Sequence, residues 1–363
     1  MNVSFDNVLI KGLAFPGVTE RHHPCITEQF NRTTTERQAM TANQFGKTIL
    51  IAALLATGGA QAQDVVRVGN LKFAHYGAVS YIKEIAPKCG IKVEERVFPK
   101  GLDVMQAIIA GELDVGATAS EAAISGRAGG APIYVVAGFA KGGARLVAGS
   151  GSNIKSLKDL KGKKVGVTRG GIQEVLLMAE LQKAGLTADA APGKDVQLVY
   201  LAYADLNQAL LGKNIDAMMN SEPQSSQAIN KGFGTELLKP YDTPIGEPVR
   251  TMVMTEKFYN TKRPVAEKFM RCFVQATNMF INDRALAEKY VRETVFKGQI
   301  TKEDFDDAIG NSPYSYDITP EHIQVTTDIM VKTGVGRMAK PPVAKEWVKT
   351  DLLNEAKKSL NIK

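Results

Sequence analysis

The stretches Asp103-Val-Met-Gln-Ala-Ile-Ile-Ala-Gly-Glu-Leu-Asp114 and Asp205-Leu-Asn-Gln-Ala-Leu-Leu-Gly-Lys-Asn-Ile-Asp216 are one pattern written twice, 102 residues apart. Identical residues fall at Asp103/Asp205, Gln106/Gln208, Ala107/Ala209 and Asp114/Asp216, with Ile and Leu exchanged between them. Each copy joins a short apolar-faced helix to a strand. Outward from the first copy, hydrophobic periodicity predicts strands over 65–71, 91–98, 114–117 and 133–137, and helices over 78–88, 104–111 and 121–127. Outward from the second it predicts strands over 164–167, 196–201 and 215–219, and helices over 172–183 and 206–211. Strands alternating with helices at this spacing imply mostly parallel sheets covered on both faces. The expected fold is therefore α/β with two similar lobes.

A β-rich segment over 250–255 follows, and beyond it the pattern is almost wholly helical, over 264–282, 286–295, 303–309 and 320–332. These helices have no sheet of their own to cover, so they are expected to pack back on the first lobe. The expected division is residues 63–145 with 255–363 as lobe 1, and 146–254 as lobe 2.

Composition narrows the class. Of 363 residues, 44% are hydrophobic and 23% charged, which excludes a largely disordered chain. Three cysteines are too few for a disulfide scaffold. The formal charge of +7 comes from 45 basic and 38 acidic residues, scattered among one another as in Lys83-Glu84 and Glu288-Lys289. A nucleic-acid surface would cluster the basic residues, so no nucleic-acid partner is expected.

Residues 40–62, MTANQFGKTILIAALLATGGAQA, have the layout of a secretory signal peptide. Lys47 supplies the positive flank, residues 48–57 the apolar run, and Ala60-Gln61-Ala62 the small residues before a cleavage site. The run is shorter than the roughly 20 residues a membrane span needs. The mature chain is thus expected to start at Gln63, in the periplasm, without an integral membrane segment. Residues 1–39 are polar and patternless, and read as a misassigned extension ahead of a true start at Met40. Cys25 would be lost with them, leaving Cys89 and Cys272, whose pairing the sequence leaves open.

Catalytic motifs are lacking. No H-E-x-x-H, C-x-x-C, P-loop or G-x-S-x-G occurs, and the two histidines beyond residue 62, His75 and His322, are far apart in sequence. Gly334-Val-Gly336-Arg-Met-Ala339 matches a dinucleotide-binding pattern but follows a helix and runs into Pro341-Pro342, so it reads as a helix C-cap. Gly166-Val-Thr168-Arg-Gly170 looks like a nucleophile elbow, yet no base is near in sequence to activate its hydroxyl. No cofactor, metal or catalytic residue is expected.

Three strand-to-helix turns rich in small and polar residues stand out. Thr118-Ala-Ser120-Glu121 fits a capping box, with Thr118 as N-cap and Glu121 at N3. Thr168-Arg169-Gly170-Gly171 opens the next lobe's first helix, and Asn220-Ser221-Glu222-Pro223 places Pro in a first turn. Such turns gather at the carboxyl ends of parallel strands, where unpaired N–H groups hold anionic or polar ligands. Arg145 and Arg250 lie where the chain should cross between lobes. They either line a cleft or pair with nearby carboxylates.

The runs Gly111-Glu-Leu-Asp114-Val-Gly-Ala-Thr-Ala-Ser120, Leu157-Lys-Asp-Leu-Lys-Gly162-Lys-Lys-Val165-Gly166 and Asp216-Ala-Met-Met-Asn-Ser-Glu222-Pro223 resemble the solute-binding proteins of ABC importers. The similarity covers residues 64–363 and is nearest to the nitrate/sulfonate/taurine class, which also holds thiamine-pyrimidine binders. It implies a type II periplasmic-binding-protein fold, monomeric, that closes on a small organic solute. That solute would be sulfonate- or taurine-like or another small anion, and it would pass to an ABC permease with its ATPase. The alternatives are a binder of a thiamine-precursor pyrimidine and an enzyme of the pyrimidine-synthase-like fold. The enzyme would carry a cysteine-rich iron-binding stretch, which this chain lacks. A sensor would need a fused signalling module.

The resemblance further implies ligand contacts. Phe73, His75 and Tyr76 follow the first strand. Thr118 and Ser120 come next, then Arg169, Gly170, Gly171 and Gln173, and last Asn220, Ser221 and Glu222. Phe73 and Tyr76 would either stack on a planar ligand or pack the hinge. Glu222 corresponds to the family's acidic residue before proline and implies a ligand N–H or amine. The family's tryptophan just before that Glu-Pro is replaced here by Ser221, and the chain's sole tryptophan is Trp347.

Overall fold

The structure, a computed structural model, describes residues 63–362. The expected extension over 1–39, the signal peptide over 40–62 and Cys25 lie outside the described residues.

Among the described residues, eleven strands form two sheets. They are β1 (Asp64–Leu71), β2 (Ile91–Phe98), β3 (Val115–Ala119), β4 (Ile133–Lys141), β5 (Ala144–Gly149) and β6 (Lys164–Val167), followed by β7 (Ala188–Asp189), β8 (Val196–Tyr200), β9 (Ala217–Ser221), β10 (Gly234–Leu238) and β11 (Val249–Thr255). The first sheet has the order β2-β1-β3-β11-β4, and the second β10-β5-β9-β6-β8-β7. Reversing the second aligns the two, with the two-residue β7 left over at its edge. A central strand (β1 or β6) lies between two parallel neighbours, and the strand beyond β3 or β9 is antiparallel: β11, returning from later in the chain, in the first sheet, and β5, the first of the consecutive run β5–β10, in the second.

The helices are α1 (Gly77–Ile85), α2 (Gly101–Ile109), α3 (Ser120–Ala128), α4 (Ile172–Lys183), α5 (Leu206–Leu211) and α6 (Gln224–Asn230). The C-terminal series is α7 (Glu256–Thr261), α8 (Arg263–Asn282), α9 (Arg284–Lys289), α10 (Lys302–Asn311), α11 (Pro320–Thr333), α12 (Ala344–Trp347) and α13 (Asp351–Ser359). The helix expected over 286–295 is divided between α9 and a π-helical turn, Tyr290–Val295.

The duplicated segment does the same work in both halves. Asp114 donates its N–H to the Arg67 carbonyl and accepts the Arg67 N–H; Asp216 does the same with Lys164, at 2.8 Å for each bond. For the first pair the distances are 2.9 and 3.0 Å. Each aspartate thereby locks the entry of β3 or β9 to the central strand. On that strand Gly69 and Gly166 let the crossover helix approach. A Cβ on Gly69 would meet Leu113 and Val104 at 2.6 and 2.9 Å, and one on Gly166 would meet Ile215 and Leu206 at 2.5 and 2.8 Å. Both pairs of neighbours are related by the 102-residue offset.

Two features depart from the sequence reading. Strands β5, β7 and β10 were not expected: the strand expected over 133–137 was the last before 164–167, and none was expected over 188–189 or 234–238. Gly142 and Gly143, with φ of +67° and +79°, turn the chain between β4 and β5. The crossings consequently fall at 142–143 and 239–248. Ala144 and Arg145 belong to the second sheet, and residues 249–254 to the first, so the boundaries expected at 145 and 254 each move by a few residues.

The C-terminal helices pack mainly on the first lobe. The helix α8 lies against α1 and α13, and α11 against α3. Two also reach the second lobe, α10 at α6 and α11 at α4. Trp347 is buried in the first lobe's core. Helix α4 is shared: Ile172, Val175 and Leu176 join the first sheet's apolar core, while Leu177 and Leu181 join the second's. Cys89, after α1, and Cys272, on α8, form a disulfide with Cα atoms 5.9 Å apart.

Gly166→Ala is expected to overpack the second lobe against Ile215 and Leu206, lowering stability by about 1–3 kcal/mol. Urea unfolding with an unchanged m-value would register this. Replacing Cys89 and Cys272 together by Ser should cost about 2–5 kcal/mol. The same titration, run beside wild-type protein with and without reductant, checks that figure.

Candidate functional site

Two equivalent lobes bring equivalent turns face to face, and the turns enclose a cavity. From the first lobe come Leu71 at the end of β1, Phe73, His75 and Tyr76 just after it, Gly101 at the start of α2, and Thr118, Ala119 and Glu121 where β3 passes into α3. From the second come Ile172 and Gln173 at the start of α4, Tyr203 before α5, and Ser221 at the end of β9. Arg250, on the crossing strand β11, completes the wall.

The lining inherits the duplication. Gly101 and Tyr203, like Ala119 and Ser221, differ by 102 residues. His75 and Ile172, like Tyr76 and Gln173, differ by 97, the offset that relates Arg67 to Lys164 and Gly69 to Gly166. The space is about 20 Å³, room for little more than one water molecule. The lobes are closed upon it.

Polar groups on this wall are buried without partners. Both ring nitrogens of His75, Thr118 Oγ1, one carboxylate oxygen of Glu121 (Oε2) and Arg250 Nε have no hydrogen-bond partner among the described residues. His75 and Thr118 are wholly buried, Arg250 is 2% exposed and Glu121 4%. Desolvation of this kind is expensive, and native proteins leave few such groups unanswered. Their convergence on one cavity makes it the candidate site for a polar molecule.

Burial sets the charge states. Desolvation, then Arg250, pushes His75 well below the ordinary imidazole value, so the ring is neutral. Desolvation lifts Glu121 to about 7, against Arg250 and the N–H groups of Glu121, Ala122 and Ile172, which pull it down. Burial raises the Tyr76 and Tyr203 hydroxyls above the ordinary phenol value. The aromatic rings form one cluster. Phe73 lies parallel to His75 with centroids 5.8 Å apart, and Tyr203 meets Phe73 edge-on at 5.2 Å. Tyr203 Oη donates to Gln173 Oε1 at 2.7 Å.

Of the residues singled out from sequence, Phe73, His75, Tyr76, Thr118, Gln173 and Ser221 come together at the cavity. The others do not. Ser120 is buried beside it, its hydroxyl unpartnered. Arg169 is exposed and covers the ring of Tyr200 at 4.9 Å. Gly170 packs toward Leu102, and Gly171 leaves room for the Tyr203 hydroxyl, which a Cβ would meet at 2.2 Å. Asn220 turns away, bonded to the Ser221 N–H and Asn207.

Two expected turn assignments change. Helix α3 starts at Ser120 with Ala119 as N-cap, so the capping box fails. Thr118 remains in β3, paired with Thr251, and Glu121 is freed to face the cavity. Pro223 is the N-cap of α6 and follows a cis peptide, rather than sitting in the first turn.

Glu222 is the largest correction. Its Oε1 accepts from Asn311 at 2.8 Å, and its Oε2 from the Ser226 hydroxyl at 2.7 Å and N–H at 3.1 Å. Arg145 Nε lies 2.7 Å from Oε1, an ion pair in which the N–H is not aimed at the oxygen. Burial nevertheless pushes the Glu222 carboxyl above its ordinary value. Arg145 also pairs with Glu236 and Asp307, at 3.0 and 2.8 Å. Both oxygens are engaged inside the protein, and Glu222 is not among the residues lining the cavity. The two arginines thus divide: Arg145 is structural, whereas Arg250 faces the cavity. Sequence reading missed Tyr203 and the cavity-facing role of Glu121. The 102-residue offset from Gly101 would have pointed to Tyr203.

The profile of the NMT1-like family matches residues 59–293. The chain belongs to the NMT1-like family. A putative aliphatic sulfonates-binding protein of Escherichia coli is 34% identical over 173 residues, 47% of this chain and 50% of that one. The match thus spans only half the length of that relative. A putative ABC transporter periplasmic binding protein of Brachyspira hyodysenteriae is 21% identical over 333 residues, 85% of this NMT1-like chain and 94% of its own. The alkanesulfonate-binding protein of Xanthomonas axonopodis pv. citri, solved bound to MOPS, superposes with a TM-score of 0.67 at 18% identity, covering 80% of this chain and 100% of that one. The fold of this NMT1-like protein is accordingly that of the periplasmic binding proteins. These named relatives are binding proteins rather than enzymes. Among the described residues there is no cluster of three or more metal-ligating side chains, and no helix is long and apolar enough to cross a membrane.

Removing the Glu222 charge should destabilise the fold by leaving Arg145 under-compensated. Breaking a buried pair costs about 3–5 kcal/mol; since Asp307 and Glu236 remain, Glu222→Gln is expected near or below the lower figure. Equilibrium unfolding measures it, and an unchanged midpoint would refute the structural role.

Proposed function

We propose that this chain is a periplasmic solute-binding protein that closes two lobes on a small organic solute and delivers it to the permease and ATPase of an ABC importer. The observation that carries this reading is the interlobe cavity, walled by buried polar atoms that have no partner among the described residues. The family, the names of its relatives and the expected signal peptide all favour it. Nothing in the wall resembles a nucleophile with its base, so capture and release, without bond making, is the chemistry.

Closure would pivot on the crossings at 142–143 and 239–248, bringing the starts of α3 and α4 together. Arg250 and those helix N-termini favour a solute with an anionic group, the sulfonate-like class. Phe73, His75, Tyr76, Thr118, Gln173 and Ser221 are its proposed contacts, joined by Glu121, Tyr203 and Arg250. A planar pyrimidine-like solute is the second reading, favoured by the near-parallel Phe73 and His75 rings, 13° apart.

Mass spectrometry of protein purified natively should find a retained small solute, and thermal shift against sulfonates, aromatic acids and pyrimidines should identify a stabiliser. Arg250→Gln is expected to weaken that ligand about 10- to 100-fold, the worth of a charge-assisted hydrogen bond. Arg169→Gln should leave it unchanged. If both variants bind like wild type, the cavity is not the site.

A further inference from the structure

Among the described residues lining the cavity, Arg250 is the one cation and Glu121 the one carboxylate. Arg250 donates to the carbonyls of Gly142 and Gly143, at 2.6 and 3.3 Å, while its Nε has no partner. Glu121 keeps Oε2 unpartnered. The other titratable groups facing Glu121 are His75 and Tyr76 beside β1 and Tyr203 across the gap, all uncharged near neutral pH. The wall is therefore balanced, one positive group against one acidic one. A simple monoanion enclosed there would answer Arg250 but would meet Glu121 as a second negative charge unless that carboxyl took up a proton. An unpaired buried charge is among the most costly features a closed site can hold.

Resting on the solute-binding reading above, we infer that the solute carries no net charge: an anionic end meets Arg250, an N–H donor end meets Glu121, and Glu121 discriminates against simple monoanions. The acidic partner for a ligand amine, which the sequence placed at Glu222, is thereby reassigned to Glu121. Titration gives the inference a sign. Because burial lifts Glu121 to about 7, the carboxyl is partly protonated at pH 7. A ligand ammonium there favours the ionised form and expels a proton, whereas a monoanion favours the protonated form and takes one up. By the same linkage, the closed form without solute loses stability as pH rises from about 4.5 through about 7.

Isothermal titration calorimetry at pH 7, in two buffers of different ionisation enthalpy, tests this with matched probes. The pairs are taurine and ethanesulfonate, β-alanine and propionate, and 4-(aminomethyl)benzoate and 4-methylbenzoate. Wild-type protein should prefer the amino member of at least one pair by about tenfold or more, with proton release. Glu121→Gln should erase or reverse that preference and abolish the proton exchange. Equal affinity within every pair that binds, or a preference that survives Glu121→Gln, overturns the inference and leaves the solute-binding reading standing. A simple monoanion as the natively retained solute does the same. No binding of any probe, together with no retained solute, overturns both. If Glu121→Gln fails to fold, the wild-type preference and the proton count still decide.

Discussion

A guanidinium taken out of water must be answered by negative charge or by carbonyl dipoles, and the two arginines on the crossing strands are answered differently. Arg145, on β5, is enclosed by Glu222, Glu236 and Asp307. Arg250, on β11, has only the carbonyls of Gly142 and Gly143 among the described residues. The first arrangement ties the second sheet to α10 and removes Glu222 from the cavity. The second leaves a positive group on the wall that the protein itself does not neutralise by a direct ion pair. Much of the site's character follows from this asymmetry within an otherwise duplicated frame.

The duplication supplies the geometry. Equivalent aspartates lock equivalent strands, equivalent glycines admit equivalent helices, and the turns that follow meet across the gap. Pairs of lining residues separated by 97 or 102 positions are a consequence of this pseudo-symmetry. The pairs differ in chemistry: Gly101 packs against Thr118 and Ala122 where Tyr203 brings a ring, and His75 is matched in the other half by Ile172. Divergence between the halves gives the cavity two unlike ends, aromatic and charged on the first lobe, amide and hydroxyl on the second. Helix α4 binds the lobes further, because one of its faces belongs to each core. The closed form is thus stabilised by apolar burial as well as by polar contacts.

Most of the alternating strands and helices were legible because their periodicities are local and repeated. Strands β5 and β10 were harder. Both are short and pair with each other, and β5 follows β4 after only two glycines in left-handed conformations. About half of the residues selected for the site reached the cavity wall, and the misses have common causes. Arg169 sits in the right turn but points outward over Tyr200, a matter of one residue's orientation. Glu222 has the right chemistry, yet Arg145 and Asn311 arrive from distant parts of the chain, with Ser226 four residues on, to engage both its oxygens. Glu121 was read as a local cap because Thr118 stands three residues earlier; strand pairing with β11 holds Thr118 in the sheet instead.

By itself the sequence determined two α/β halves built on one plan, the presence of polar turns at corresponding strand ends, and the lack of a catalytic constellation. Those properties reside in short-range patterns of apolar, small and capping residues, which act over a few positions whatever the rest of the chain does. Tertiary structure alone decided that Cys89 reaches Cys272, that Arg145 is neutralised while Arg250 is not, and that Glu121 rather than Glu222 faces the enclosed space. Each of these depends on which remote side chains arrive to satisfy a buried charge or thiol, and proximity between distant segments is written in the packing.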